Sequence, residues 1–244
     1  MSHSTSTYDP LRKAGITFLS IKLAMILYFP IIWLLHSLDS IDFSLYIALS
    51  SSTSIITGVI NLVALIFLHF MLSNMELLPE SDTIDHEKIR IIKILNLILI
   101  IIISIFIFVS IFFYLGITFG LFNLSGLSLA MLKFIIFTSI AFEFLYGILF
   151  IIVFSQIGST FNKFSKLRKF RILIVFIFIF GIATGLSEII MASMLTLDAT
   201  SIPVNVEFAY AIQFIFQIVT SLSGIASTIS CIGFILIPKE LNNS

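Results

Sequence analysis

Two acidic residues, Glu143 and Glu188, lie inside long apolar runs, and Gln213 and Gln217 lie inside a third. An ionised carboxylate near the middle of a bilayer costs at least about 2.5 kcal/mol, so intramembrane acids face protein, water or a partner and often mark ion or proton pathways. Counting about 1.5 Å of rise per residue from the outer end of each run places Glu143 roughly 15–18 Å deep and Glu188 and Gln217 each about 13 Å deep. Three consecutive helices would then carry acid, acid and amide at similar depth. Glu143, Glu188, Gln213 and Gln217 form the candidate intramembrane polar site. Lys22 could serve as a counter-charge, but it lies only about 10 Å from the other end of its run and is expected to snorkel that way.

The remaining chemical groups lead less far. Asp82 and His86, at i and i+4, could share a metal ion but lack a full ligand set. Ser81, Asp82 and Thr83 are better read as helix N-caps, with the neighbouring acids of Ser73–Lys88 complementing a helix dipole. Electrostatic attraction is expected between that acidic loop and the basic segment Lys163–Arg171. The basic segment could also hold anionic lipid, although inner loops are rich in Lys and Arg in any case. His36 and His69 fall near opposite ends of their runs and do not make a matched pair of haem ligands. Asn123-Leu124-Ser125 is a glycosylation sequon. Cys231 is the single cysteine, which excludes an internal disulfide and a multi-cysteine zinc site. No catalytic residue, cofactor site or metal site is assigned, because scattered serines and lone histidines define no nucleophile–base pair.

Small and polar residues also recur at helical spacing. Gly181, Gly185, Glu188 and Ala192 share a face, the first two as GxxxG. Ser139, Glu143 and Gly147 share another. Ser50, Ser54, Thr57, Asn61 and Ala64 form a third stripe, and Gln213, Gln217, Thr220, Gly224, Ser227 and Cys231 a fourth. Such stripes let helix backbones approach closely in lipid. The run Ile91–Leu115 is mostly Ile and Phe around its middle, with Asn96, Ser104 and Ser110 scattered, and is the one best suited to face lipid.

The elements that must position these residues follow from composition. Hydrophobic residues make up 59% of the 244-residue chain and charged residues 11%, against a charged fraction of about 25% in soluble domains. With 13 basic and 13 acidic residues the net charge is zero, which leaves no nucleic-acid footprint. A spanning helix needs about 20 mainly apolar residues. Six segments qualify: Gly15–His36, Tyr46–Leu72, Ile91–Leu115, Met131–Ile157, Ile172–Leu197 and Phe208–Ile237. Pro30 is expected to kink the outer end of the first. The expected architecture is an all-α, polytopic bundle of six transmembrane helices over residues 15–237. A cytoplasmic segment, 1–14, precedes it and a cytoplasmic tail, 238–244, follows.

Orientation follows from the basic residues. Arg12, Lys13, Lys88, Arg90, Lys93, Lys163, Lys166, Arg168, Lys169, Arg171 and Lys239 all fall on one side of a six-span arrangement, with Lys133 on the other. The positive-inside rule puts that side, and both termini, in the cytoplasm.

The stretch Phe154-Ser155-Gln156-Ile157-Gly158, then Asn162, Leu167 and Arg168, then the apolar run from Ile172, resembles the connection between helices 4 and 5 of an uncharacterised archaeal family of six-span integral membrane proteins. Leu11-Arg12-Lys13-Ala14-Gly15 is compatible with that family's opening. The resemblance implies a six-span fold and no functional residues.

Two function classes compete most directly. One is a non-enzymatic multi-pass protein of the cell membrane, acting as a subunit of a membrane complex. Its partners would be the bilayer and another membrane protein or a second copy of itself. The other is a small transporter or channel using the Glu/Gln layer for a proton, cation or small solute. Paired repeats, common in transporters, are not evident between the two halves. An intramembrane enzyme is the third class.

Overall fold

The computed structural model describes residues 7–38, 43–79, 84–118, 129–199 and 225–242, and these are helical, with no β-strand among them. The helices are α1 (Asp9–Ser37), α2 (Phe43–Glu76), α3 (His86–Thr118), α4 (Leu129–Asn162) and α5 (Arg171–Ala199). A sixth, α6, is helical over 225–241 among the described residues. A 3-10 turn, Ser165–Phe170, joins α4 to α5. Four helical segments among the described residues are long and apolar enough to cross a bilayer: Ile55–Glu76, His86–Phe112, Ile140–Asn162 and Ser165–Leu186. This is the architecture of a helical membrane protein.

Several helices overrun the apolar segments at the basic end. α1 starts at Asp9, ahead of the Gly15 expected, with Pro10 in the first turn, where its missing N–H leaves no helical bond unmade. The added turns are amphipathic. Tyr8, Leu11 and Ala14 are buried while Arg12 and Lys13 are exposed, and burial pushes the Tyr8 phenol up from its ordinary pKa. α1 remains helical through Pro30 to Ser37. α6 likewise continues through residue 241, where Leu241 is buried.

α3 begins one residue after its cap. Asp85 Oδ1 accepts the backbone N–H of Lys88 at 3.0 Å, the bond an N-cap side chain makes to the third helical residue. Asp85 therefore caps the helix, a few residues later than the Ser81–Thr83 expected.

Each helix packs on the next in sequence, from α1 to α5. α6 then packs on α5, where Gly233 faces Leu173, and on α1, where Gly15 faces Phe234 and the Cys231 carbonyl. The contacts fix an up-and-down arrangement. Asn74 at the end of α2 donates to the Thr7 carbonyl before α1 at 3.4 Å. Arg90 near the start of α3 pairs with Glu76 at the end of α2 at 3.2 Å. Lys88 meets Ser159 near the end of α4, and Lys169 meets Glu240 in α6 at 2.7 Å. Residues near both chain ends and the basic residues of these connections thus gather at one end of the bundle.

Glu80 and Asp82 of the acidic loop lie outside the described residues, so its expected attraction to the basic segment is not in view. Glu76 pairs with Lys93 and Arg90 of α3, and Lys169 with Glu240.

The interior between α1, α4, α5 and α6 is filled by aromatic rings. Phe18, Phe150, Phe154, Phe180 and Phe234 are each at most 3% exposed. Phe150 stacks on Phe154 with centroids 4.2 Å apart. Phe180 meets Phe154 edge-on at 5.0 Å and Phe18 at 5.6 Å. Phe234 closes on Phe154 at 6.2 Å. Offset and edge-to-face pairs satisfy the ring quadrupoles. In lipid this geometry and close dispersion contact stabilise the core, because apolar burial alone gains little there.

Candidate functional site

The Glu/Gln layer depends first on how α4 meets α5. Among the described residues these two helices approach each other closely, and the cause is glycine. A Cβ at Gly181 would sit 2.6 Å from the Phe154 Cβ and 3.5 Å from the Phe150 carbonyl. A Cβ at Gly185 would collide with the Gly147 carbonyl and with Ile151. The GxxxG of α5 therefore lies against α4 backbone, as its spacing predicts. Gly158 faces the Phe178 ring in the same antiparallel register.

Position 143 in α4 lies one turn before Gly147, and position 188 in α5 lies three residues after Gly185. Both positions have helical backbone; the side chains of Glu143 and Glu188 lie outside the described residues, as do the whole of Gln213 and Gln217. Asn123, Asp82 and the side chains of Lys22, His36, Ser50, Ser54 and Ser139 fall outside them too. Of the α6 stripe, Ser227 and Cys231 are fully buried. Of the α2 stripe, Ala64 is fully buried.

The best-defined polar contacts lie on α2 and α3. Asn96 is fully buried and donates through Nδ2 to the Leu65 carbonyl of α2 at 3.0 Å. Its Oδ1 has no hydrogen-bond partner among the described residues, and neither does His69 Nδ1, one turn beyond Leu65. One face of α3 is thus packed while the opposite face stays exposed, as expected of a lipid-facing helix. Ile89, Ile92, Asn96, Leu99, Ile103 and Ile107 are buried, while Ile94, Leu97, Ile101, Ile105 and Phe108 are exposed. The buried set repeats at spacings of three and four, but so does the exposed set, so the only sequence signal for Asn96 is its polarity. Isoleucine on both faces hid its burial.

At the basic end Lys88 Nζ donates to Ser159 Oγ at 2.9 Å, bridging α3 and α4. Among the described residues no three His, Cys, Asp or Glu side chains converge as metal ligands would. No family model, curated protein or solved structure matches the chain.

Proposed function

We propose that this chain is a six-span, non-enzymatic protein of the cell membrane, with both termini in the cytoplasm, that serves as a subunit of a membrane complex. The observation that carries the reading is the aromatic core. Five phenylalanines from α1, α4, α5 and α6 fill the space where a transport path between those helices would run. Their rings offer no hydrogen bond to water or an ion, so the layer favours cohesion over conduction. The gathering of basic residues at one end supports the orientation. The α4–α5 connection resembles that of the archaeal six-span family, and we extend the likeness to a shared architecture.

The test is extraction from native membranes in mild detergent, followed by mass measurement of the intact particle. A second membrane protein, or a second copy, at fixed stoichiometry is the expected result. A lone chain that drives proton, cation or solute flux in proteoliposomes would overturn it.

One observation favours the transport reading. The register that brings Gly147 onto Gly185, continued by one turn, carries positions 143 and 188 to the same level on adjoining helices. That supports a shared layer of Glu143 and Glu188, completed by Gln213 and Gln217. On this reading Glu143→Gln and Glu188→Gln fold normally and abolish flux. On the subunit reading both are neutral or slightly stabilising, because an amide keeps hydrogen bonds without a charge to desolvate.

A further inference from the structure

We propose that Lys88, Ser159 and Lys163 form a binding site for the phosphate of a phospholipid headgroup, at the rim between α3 and α4. Lys88 is partly buried, and its ammonium group is held by a neutral hydroxyl, Ser159 Oγ, at 2.9 Å. That bond uses one of its three N–H donors. Lys163, one turn past Ser159, is a like charge close enough to act on the partly buried Lys88. No carboxylate pairs with the ammonium group of Lys88 or of Lys163 among the described residues. Asp85, which also acts on Lys88, is committed through Oδ1 to the backbone N–H of that residue.

Two lysines held at one rim, with no carboxylate paired to either among the described residues, repel each other, and a bound anion removes that repulsion. Lysine suits phosphate as a point charge, and basic pockets between transmembrane helices hold lipid headgroups. The surface below the lysines suits acyl chains. Ile91, one turn from Lys88 along α3, is 53% exposed, and Ile152, two turns from Ser159 along α4, is 39% exposed. Charge above an apolar strip matches a phospholipid better than free phosphate. The inference rests on the chain being a membrane protein and is independent of the subunit reading.

The experiment is native mass spectrometry of the purified full-length protein in detergent, titrated with phosphatidylglycerol, with inorganic phosphate as a separate arm. Wild type is expected to retain one phosphatidylglycerol. Lys88→Gln/Lys163→Gln should bind it roughly 10- to 30-fold more weakly, from about a fivefold loss for each lysine. Glutamine at 88 can still donate to Ser159, so the α3–α4 contact survives. Single Lys163→Gln, at an exposed position, should show about a fivefold loss on its own even if the double variant misfolds. Lys88→Arg/Lys163→Arg should retain the lipid, and Lys166→Gln/Arg168→Gln should bind like wild type. Equal binding by wild type and the Lys88/Lys163 glutamine variants would overturn the site. An equal loss in Lys166→Gln/Arg168→Gln would overturn it as well, by assigning the affinity to diffuse charge. Saturable binding of inorganic phosphate that displaces the lipid would overturn the lipid assignment in favour of a free-anion site. Recovery of the protein outside the membrane fraction would overturn the membrane assignment on which the site rests.

Discussion

Asn96 shows how a single polar side chain behaves at a dry helix interface. Its Nδ2 bond to the Leu65 carbonyl ties α3 to α2, while Oδ1 is buried without a partner. The two halves oppose each other, since a made hydrogen bond stabilises modestly and an unmade buried one costs about 1–3 kcal/mol. Interhelical hydrogen bonds in membranes average only about 0.6 kcal/mol. Asn96→Leu should therefore shift stability by less than about 1 kcal/mol. Asn96→Asp should destabilise by several kcal/mol, on the order of 3, because it removes the donor and buries a carboxylate beside a carbonyl. Thermal unfolding in detergent of both variants checks the contrast. Equal effects would contradict the assigned contact. The sequence shows that Asn96 is polar, but not that it is buried, because both faces of α3 are built of isoleucine and leucine.

Among elements, the α4–α5 pair is governed by how little room its glycines leave. At Gly185 a Cβ would meet a backbone carbonyl, which cannot swing aside, whereas at Gly233 the nearest atom is the Leu173 Cβ at 3.3 Å. Gly185→Ala should therefore destabilise more than Gly233→Ala. Gly181→Leu and Gly185→Leu should cost roughly 1–3 kcal/mol through overpacking. Melting temperatures of the set test the order, and an unchanged Gly185→Leu variant would show that this face meets lipid. This contact is legible in advance because GxxxG spacing needs no knowledge of the partner. Helix ends are less legible. The turns from Asp9 to Ala14 are too polar to register as a span, yet their amphipathic pattern carries α1 past the apolar run. The cap of α3 fell on Asp85 among several residues equally able to cap.

At the scale of the whole molecule, apolar segments of about 20 residues identify the helices, because hydrocarbon thickness fixes their length. What packs inside is not legible. The chain has 27 phenylalanines, and core and lipid are both apolar, so no periodicity separates Phe154, fully buried, from Phe108, 71% exposed. The structure makes that separation testable. Phe154→Ala should destabilise, toward the lower end of the roughly 3–5 kcal/mol seen for buried Phe→Ala changes in water, since the released ring stays in an apolar medium. Phe108→Ala should leave stability nearly unchanged. Chemical denaturation in detergent micelles measures both, and equal losses would contradict the packed aromatic core.

The central claim is a six-span bundle whose basic end, with both termini, faces the cytoplasm. Single cysteines placed at positions 40, 165 and 201, in a background where the buried Cys231 is replaced by serine, test it most directly. With a membrane-impermeant thiol reagent applied to intact cells, positions 40 and 201 should label at once, and position 165 only after the membrane is permeabilised. Labelling of position 165 from outside, or protection of 40 and 201, would contradict it.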